Sequence, residues 1–411
     1  MSRYRSLLRL PGAHGLVAAG LIGRFPMSML GIGTVLLVQA ETDSYALAGS
    51  VSGTLSISTA LAGPLTGSLA DRWGQRRLLR PMLAVFAVAT AGLVLTVVND
   101  RAPLWLAFPV AVVVGAGVPQ IGSLARRRWR AMVGHTVPFG TALSLESVLD
   151  AVSFMIGPVL AAFLATRLWS AAGVAAAVTL AVVGGVAFIA QRHTEPAPRP
   201  PSGAGHAGST GPYRVRGVWV LVAGHLGMGM CFGSSDLCVI AFAQLAGHGG
   251  MAGVFLAAFA VGSVAAGIGY GAVGWRAAAR TRWWLALVGM ALTSVLLVLA
   301  GSIVTMLACA VVYGLTVSPA LIGGTELMES LVPADSLTEG FAWLTAATGL
   351  GIALGSSLAG PLIDAYGPNQ ALLLTTAAAA AAATAAALGR TWLSAGPVPL
   401  PESGQPGAAP H

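Results

Sequence analysis

The sequence predicts an all-α polytopic membrane protein, with twelve transmembrane helices in two pseudo-symmetric six-helix bundles. Three observations predict this class: the composition, the placement of the arginines, and a repeat between the two halves. The 411 residues are 56% hydrophobic and 9% charged, with a mean hydropathy of +0.80, whereas soluble domains carry about 25% charged residues. The net charge of +8 lies in short loops between apolar runs, so we expect no nucleic-acid binding.

Twelve apolar runs are each long enough to cross a bilayer, which takes roughly 20 residues. They lie near residues 14–39, 47–69, 77–98, 103–123, 138–164, 169–190, 217–245, 251–273, 283–301, 303–327, 337–363 and 369–389. A Pro-, Gly- and Ser-rich stretch, residues 191–215, is predicted to be a flexible cytoplasmic linker between an N-terminal bundle (1–190) and a C-terminal bundle (216–390). Residues 391–411 are predicted to form a disordered cytoplasmic tail.

The arginines predict the orientation of these spans. They cluster at the amino terminus and in the even-numbered loops, whereas the odd-numbered loops hold only Arg101 and Arg167. By the positive-inside rule both termini are cytoplasmic, and we expect a multi-pass protein of a bacterial plasma membrane, the cell inner membrane. The three cysteines lack metal-ligand spacing and no Walker loop is present, so we expect no cofactor, no metal and no enzyme activity.

A repeat relates the two halves, as parallel six-helix repeats require. Four matches occur in order, at offsets of 201 to 204 residues. They pair "GRFPMSM" at 23–29 with "GHLGMGM" at 224–230, Ala48-Gly49 with Ala252-Gly253, Gly67, Arg72 and Arg76 with Gly271, Arg276 and Arg280, and Gly157-Pro158 with Gly360-Pro361. The repeat makes His225 the counterpart of Arg24.

The loop after the second span carries the most specific motif, "GSLADRWGQRRLL" at 67–79. The residues that define the pattern are, in chain order, Gly67, Leu69, Asp71, Arg72, Gly74, Arg76 and Arg77. This pattern resembles the signature loop of the major facilitator superfamily, a family of secondary carriers. The resemblance implies that Asp71 helps to hold the inside gate near the start of the eleventh helix, with the loop arginines in support. Gln75 and, in the second half, Trp275 depart from the family pattern.

Two further comparisons with the family concern its drug–proton antiporters. Gly157-Pro158 resembles their Gly-Pro step in the fifth span, although most flanking glycines are missing. A proline kink packed against a small-residue helix interface is the alternative explanation, here and at Gly360-Pro361. The fourth span lacks the arginine that many proton antiporters carry, which puts their usual coupling scheme in doubt.

Charged residues within the spans are candidate site residues. Glu146 and Asp150 lie one turn apart on the fifth span, where two carboxylates repel unless a cation lies between them. Arg24 lies deep within the first span, and we predict that it pairs with one or both. The alternative is that Arg24 extends to the membrane interface. Pro26 is predicted to kink this helix and to line a cavity wall.

The seventh span adds His225 and Asp236, and the tenth adds Tyr313, as candidate substrate or proton-coupling residues. His225 and Asp236 lie 11 residues apart, about three helical turns, so water or substrate would have to bridge them. The alternative for His225 is a neutral ring that is hydrogen-bonded to a neighbouring helix. We expect the central cavity to be formed by spans one, four, seven and ten.

The cytoplasmic ends of the fourth and tenth spans differ in charge. "ARRRWR" at 125–130 corresponds to "GTELMES" at 324–330. The predicted inside-gate salt bridges between the halves would involve Arg126, Arg130, Glu326, Glu329 and Glu339. Simple positive-inside anchoring is the alternative explanation for the arginines.

Together these features predict a carrier that works by alternating access, with proton-driven efflux of a small organic molecule, a drug or a metabolite. Proton-coupled uptake of a sugar, amino acid or organic acid is one alternative. A transporter-like scaffold or sensor without flux is another. The expected partners are the lipid bilayer, a small-molecule substrate and protons, and we expect a monomer.

Overall fold

The chain folds into helices joined by short loops. The computed structural model describes residues 2–99, 101–133, 139–196, 212–248, 251–272, 275–333 and 337–394, and within these ranges it contains no strand. The α-helices are α1 (Ser2–Leu8), α2 (Ala13–Ile22), α3 (Phe25–Thr42), α4 (Tyr45–Trp73), α5 (Gln75–Val98), α6 (Ala107–Gly117), α7 (Ile121–Val133), α8 (Phe139–Arg167), α9 (Ala172–Ala190), α10 (Arg216–Leu245), α11 (Ala252–Ala272), α12 (Ala279–Val298), α13 (Ile303–Leu331), α14 (Leu337–Tyr366) and α15 (Pro368–Leu388).

Twelve spans follow from these helices, because α2 with α3 and α6 with α7 each form one span in two pieces. Eleven are long and apolar enough to cross a membrane. The twelfth is α4, whose 29 residues are long enough but rich in Ser, Thr and Gly. The predicted span positions agree with the structure, except that the fourth span continues through its arginine run to Val133.

The predicted break at Pro26 is confirmed. Helix α2 ends at Ile22 and α3 begins at Phe25, with Pro26 in its first turn. The N–H groups of a first turn have no acceptor within the helix, so a proline there costs no helical hydrogen bond. By contrast, α8 and α14 continue through Pro158 and Pro361. The glycine before each of these prolines is a site of close packing: a Cβ atom at Gly157 would collide with the Ser28 side chain.

The first residues of the predicted flexible linker are folded. Arg192–Thr194 form a short 3-10 helix, and the Glu195 carboxylate accepts a hydrogen bond from the backbone N–H of Arg76 at 2.9 Å. Most of the linker and of the tail lie outside the described residues. Pro212–Arg214, near the end of the linker, and Trp392–Ser394, at the start of the tail, also form 3-10 turns.

The two halves meet tightly at the end of the molecule away from the arginine-rich loops, which we call the far end (residues 42–53, 237–245 and 353–366). There α4 packs on α14 through small residues. A Cβ atom at Gly49 would collide with the Ser356 carbonyl, and one at Gly53 with the Ser357 side chain. Both serine hydroxyls donate to the Gly49 carbonyl at 3.4 Å. Close approach of two backbones is what small-residue stripes permit within membranes.

The same two helices diverge toward the other end, which we call the arginine-rich end (residues 72–80, 125–130 and 276–282). Gly67 lies 18 residues after Gly49, five full turns, and therefore on the same face of α4. Yet a Cβ atom at Gly67 would meet nothing within 4 Å. The close contact on this face of α4 is thus lost toward the arginine-rich end, where the cleft between the halves opens.

Candidate functional site

Four charged side chains from the first, fourth and fifth spans form one connected group, the arginine–carboxylate cluster (Arg24, Arg126, Glu146 and Asp150). Arg24 donates from Nη2 to Glu146 Oε2, and from Nε to Asp150 Oδ1 at 2.7 Å. Arg126 donates to the second Asp150 oxygen at 2.6 Å. The Trp129 indole donates to the second Glu146 oxygen at 2.7 Å. The predicted pairing of Arg24 with both acids is therefore confirmed, and its role in transport stays a prediction.

Local structure brings these groups together. Arg24 lies at the break between α2 and α3, and Glu146 and Asp150 share one face of α8, four residues apart. Gly122 of α7 gives the guanidinium room, because a Cβ atom there would lie 3.2 Å from Arg24 Nε. Any larger residue at Gly122 would push the arginine away from its acids.

The cluster is closed on one side and accessible on the other. Arg24 and Glu146 are 5% and 1% exposed, whereas Asp150 and Arg126 are 32% and 45% exposed. Arg24 is thus held inside the protein rather than extended to the membrane interface. Two arginines and two carboxylates balance, as buried charges must. Arg24 Nη1 is buried near Gly20, without a hydrogen-bond partner among the described residues.

His225 occupies the equivalent position in the C-terminal half, in an uncharged setting. Arg24 lies against Gly122 of α7, and His225 lies against Gly324 of α13, an offset of 202 residues. The His225 side chain is 3% exposed. Its Nδ1 lies 2.9 Å from the Leu221 carbonyl oxygen, and its ring stacks on Trp283 at a centroid distance of 6.4 Å. Within the described residues no carboxylate pairs with His225.

Asp236 and Tyr313 lie elsewhere in the same half. Asp236 is partly exposed and, among the described side chains, makes no hydrogen bond or ion pair. Tyr313 is 1% exposed, its hydroxyl has no hydrogen-bond partner in the described structure, and its ring packs on Phe259 at 5.7 Å. The structure therefore separates His225 from Asp236, as their three-turn spacing requires, and buries Tyr313.

The gate motif lies at the open, arginine-rich end. Arg72 and Arg77 are exposed, Gly74 ends α4 with a φ of 87°, and the Arg76 guanidinium lies 3.9 Å from Glu195. The prediction for Asp71 concerns a side chain outside the described part of the structure. It stays a prediction.

Two of the predicted inside-gate charges pair within their own halves. Glu326 pairs with Arg282 at 2.9 Å and accepts from the Tyr270 hydroxyl at 3.3 Å, while Arg126 pairs with Asp150 at 2.6 Å. Glu329 and Glu339 are exposed, and Arg130 is exposed with an interaction of its own. The salt bridges between the halves stay a prediction.

Arg128 is a buried residue that the sequence pattern did not single out. Its guanidinium donates to Gln75 Oε1 at 2.8 Å, to the Phe188 carbonyl at 2.9 Å and to Thr194 Oγ1 at 2.9 Å. It also lies 3.6 Å from the centre of the Phe188 ring. Arg128 thus joins the third, fourth and sixth spans to the linker. The departure at Gln75 was the available signal, because a basic residue there would repel Arg128.

Asp364 is the second residue that the sequence pattern did not single out. It lies at the far end of α14 and accepts hydrogen bonds from the backbone N–H groups of Tyr45 at 3.1 Å and Ala46 at 2.8 Å. The Ser44 hydroxyl donates to it at 3.2 Å. The Tyr45 hydroxyl also donates to Gln244 of α10. We call this group the far-end cap (Ser44, Tyr45, Ala46, Gln244 and Asp364). It ties the two halves together.

The fold and these contacts agree with a family comparison. The model of the Major Facilitator Superfamily matches residues 16–339 of the chain. The chain belongs to this superfamily. A search of curated proteins finds no matching relative.

Solved structures of transporters share the fold. The nucleoside transporter NupG superposes with a TM-score of 0.66 at 13% identity, over 93% of this chain and 98% of its own. An auto-inhibited POT family peptide transporter gives 0.65 at 11% identity, over 96% and 98%. The human organic anion transporter MFSD10 (TETRAN) gives 0.60 at 12% identity, over 93% and 99%. At these identities the likeness shows the facilitator fold alone.

Proposed function

We propose that this superfamily member is a secondary active transporter that works by alternating access and exports a small organic molecule, a drug or a metabolite, in exchange for protons. The arginine–carboxylate cluster carries the proposal. Burying Arg24 and Glu146 within a membrane-spanning bundle is costly, and such charges persist where they handle substrates or protons. The exposed Arg126 and Asp150 give a substrate both a donor and an acceptor.

The shape of the cleft supports alternating access. It is closed at the far end and open at the arginine-rich end, and the positive-inside rule assigns the arginine-rich end to the cytoplasm. This geometry is that of an inward-facing carrier of a bacterial plasma membrane. An exporter loads its substrate in this state, from the side where Asp150 and Arg126 are exposed.

The charges divide into two proposed roles. Arg24 stays charged throughout, because arginine does not lose its proton in proteins, and it holds the cluster together. Asp236 has, among the described residues, neither a cation nor a hydrogen bond to stabilise its charged form, so it is the proposed proton acceptor in the C-terminal half. His225 is sealed against Trp283 and Gly324, and it is the weaker candidate for proton exchange.

The proposal is tested in inverted membrane vesicles that hold an acidic interior, with a pH-sensitive fluorescent dye as the readout. Ethidium, uridine, alanyl-alanine and benzoate serve as probes of four substrate classes. An exporter that exchanges protons dissipates the pH gradient when its substrate is added. We expect at least one probe class to do so with the wild-type protein and none to do so with the Asp236→Asn variant.

The matched control is Glu41→Gln, which removes a carboxylate from an exposed site bonded only to Ser170. Its response should equal that of the wild type. If Asp236→Asn dissipates the gradient as fast as the wild type for every active probe, the assignment of Asp236 is wrong. If no probe class acts on any vesicle preparation, a non-transporting scaffold becomes the better explanation.

Proton-coupled uptake is the second candidate, favoured by the fold shared with structures named as nucleoside and peptide transporters. The same probes distinguish it in right-side-out vesicles. An uptake carrier makes the outer medium more alkaline when substrate is added there without an imposed gradient, whereas an exporter does not.

A further inference from the structure

The same eight-residue pattern ends two different helices. It reads "GSLADRWG" over 67–74 at the end of α4 and "GPLIDAYG" over 360–367 at the end of α14. Both have glycine first and last, leucine third, aspartate fifth and an aromatic ring seventh. The closing glycines have φ values of 87° and 86°, and in both cases the next helix begins at the following residue. Sequence and backbone geometry thus repeat together.

In the second copy, Asp364 completes the first turn of a helix in the other half. The first four N–H groups of a helix have no partner within it. In α4, those of Tyr45 and Ala46 donate to Asp364, and that of Leu47 donates to the Ser44 hydroxyl at 3.2 Å. The Ala48 N–H makes the first intrahelical bond, to the Ser44 carbonyl at 3.1 Å. The Tyr45 and Ala46 N–H groups therefore have a protein acceptor while the far end is closed, and water takes its place when that end opens.

The negative charge of Asp364 is favoured at the first turn of α4 and disfavoured at the end of its own helix, α14. A carboxylate in the last turn of a helix faces the negative end of the helix dipole, which is unfavourable, whereas the first turn of a helix attracts it. Asp364 lies in the last turn of α14 and against the first turn of α4. Asp364 stays in the last turn of α14 in either state, and closing the far end adds the favourable field at the first turn of α4.

Helices α4 and α14 run in opposite directions, so the first copy of the pattern is placed for the reverse contact. Asp71 lies three residues before Gly74, just as Asp364 lies three residues before Gly367. It lies at the arginine-rich end, where α14 begins with Leu337. The two-fold repeat relates α4 to α11, and an inverted repeat within the C-terminal half relates α11 to α14, so the two steps together relate α4 to α14.

We propose that Asp364 is a gating residue, and that it alternates with Asp71. Asp364 caps α4 when the far end is closed, and Asp71 caps α14 when the arginine-rich end is closed. The inference rests on the proposed alternating access, and it assigns to Asp364 a role that the signature loop alone does not contain.

The test measures conformation rather than flux. A reporter thiol, Ser357→Cys, is placed at the contact of α14 with Gly53, in a protein whose native cysteines are replaced (Cys231→Ala, Cys238→Ala, Cys309→Ala). Right-side-out vesicles without substrate are treated with a membrane-impermeant maleimide, which reaches the reporter only from the far end. The alkylation rate then reports how often that end opens.

Asp364→Ala should raise the alkylation rate about fivefold, the effect expected from losing a helix cap of ordinary strength. Asp364→Asn, which keeps one acceptor oxygen, should give a smaller rise. Asp71→Ala should lower the rate, and the double variant should return it toward the parent value. Glu41→Gln, at the same end but bonded within its own half, should leave the rate unchanged.

An unchanged rate in Asp364→Ala would overturn the gating role, as would an equal rise in Glu41→Gln. A rise in Asp71→Ala would overturn the alternation. Folding is checked by melting temperature, and Asp364 is exposed, so a folded Asp364→Ala variant is expected. If Asp364→Ala and Asp71→Ala shift the alkylation rate in opposite directions but no probe is transported, the gating role is supported and the proposed function is wrong. The two failures are therefore distinguishable.

Discussion

Arg24 and His225 occupy matching positions in the two halves, and their surroundings are opposite in character. Arg24 belongs to a cluster of four charges that is accessible on one side. His225 is packed against Trp283 and bonded to its own helix. The same place in the fold is thus ionic in one half and nearly apolar in the other.

The difference originates on the fifth span of each half. Glu146 and Asp150 supply the acids of the N-terminal half. At the offset of 203 that relates Gly157 to Gly360, their counterparts are Gly349 and Ala353. These small residues instead pack on α4, where a Cβ atom at Gly349 would lie 3.1 Å from the Ala60 Cβ. One half uses these positions for charge, and the other uses them for close contact across the cleft.

Arg24→Leu should have the largest effect on this contrast. It leaves buried Glu146 without its cation, and breaking a buried ion pair costs about 3–5 kcal/mol. We expect a large fall in the thermal stability of the purified protein and no gradient dissipation in vesicles. Arg101→Leu, at an exposed loop position, is the control and should melt like the wild type. A wild-type melting curve for Arg24→Leu would mean that the cluster is not a stability element.

The double variant Arg24→Leu with Glu146→Leu sharpens the same point. Replacing a whole buried pair by apolar residues of similar size is often neutral. Most of the lost stability should therefore return, while transport should not. Recovery of transport would show that the cluster is purely structural.

His225→Arg should be the next largest effect, because it brings the charge of one half into the other. No acid stands where Glu146 and Asp150 would be, so the new guanidinium is unpaired, at a cost of about 2.5–3.5 kcal/mol for a charge within the membrane. Expression yield and melting temperature measure it. Unchanged stability would show that the two positions tolerate charge equally.

The two tryptophans provide a matched pair of smaller changes. Trp129 donates to Glu146, whereas Trp283 Nε1 is buried without a partner among the described residues. Both Trp→Phe changes lose the same volume, but only Trp129→Phe breaks a hydrogen bond to a charged acceptor, worth about 1.5–3 kcal/mol, whereas Trp283→Phe removes an unpaired N–H and part of the ring stack on His225. Trp129→Phe should melt clearly lower than Trp283→Phe. Equal melting temperatures would contradict the structural difference.

His225→Gln should have the smallest effect. It removes a ring stack but keeps polar groups near the Leu221 carbonyl, so we expect a loss of about 1 kcal/mol. Gradient dissipation should match the wild type in rate and in pH dependence. A changed pH dependence would restore His225 as a proton-coupling residue and would weaken the case for Asp236.

The sequence was informative about features that depend on short stretches of the chain. Long apolar runs and the absence of arginine from most odd-numbered loops sufficed to predict the spans. Few charges lie within them, so Arg24 had few possible partners, and the one-turn spacing of Glu146 and Asp150 placed both on one face.

The sequence was less informative about features that depend on the rotation of a helix or on contacts between residues far apart in the chain. Four arginines lie on α7, and only the rotation of that helix turns Arg128 inward while Arg126 stays exposed. The role of Asp364 depends on Tyr45, 319 residues away, and on which end of the molecule is closed. Neither fact is contained in a local pattern.

The smallness of the residues between α4 and α14 also bears on how fast the carrier can turn over. Gly49 and Gly53 present no side chain of their own at this contact, so no α4 rotamer has to change there when the helices separate. The polar contacts that must break are the Ser356 and Ser357 hydrogen bonds to Gly49 and the far-end cap. A methyl group at Gly49 would collide with the Ser356 carbonyl and would keep the far end from closing even with every residue of the far-end cap in place.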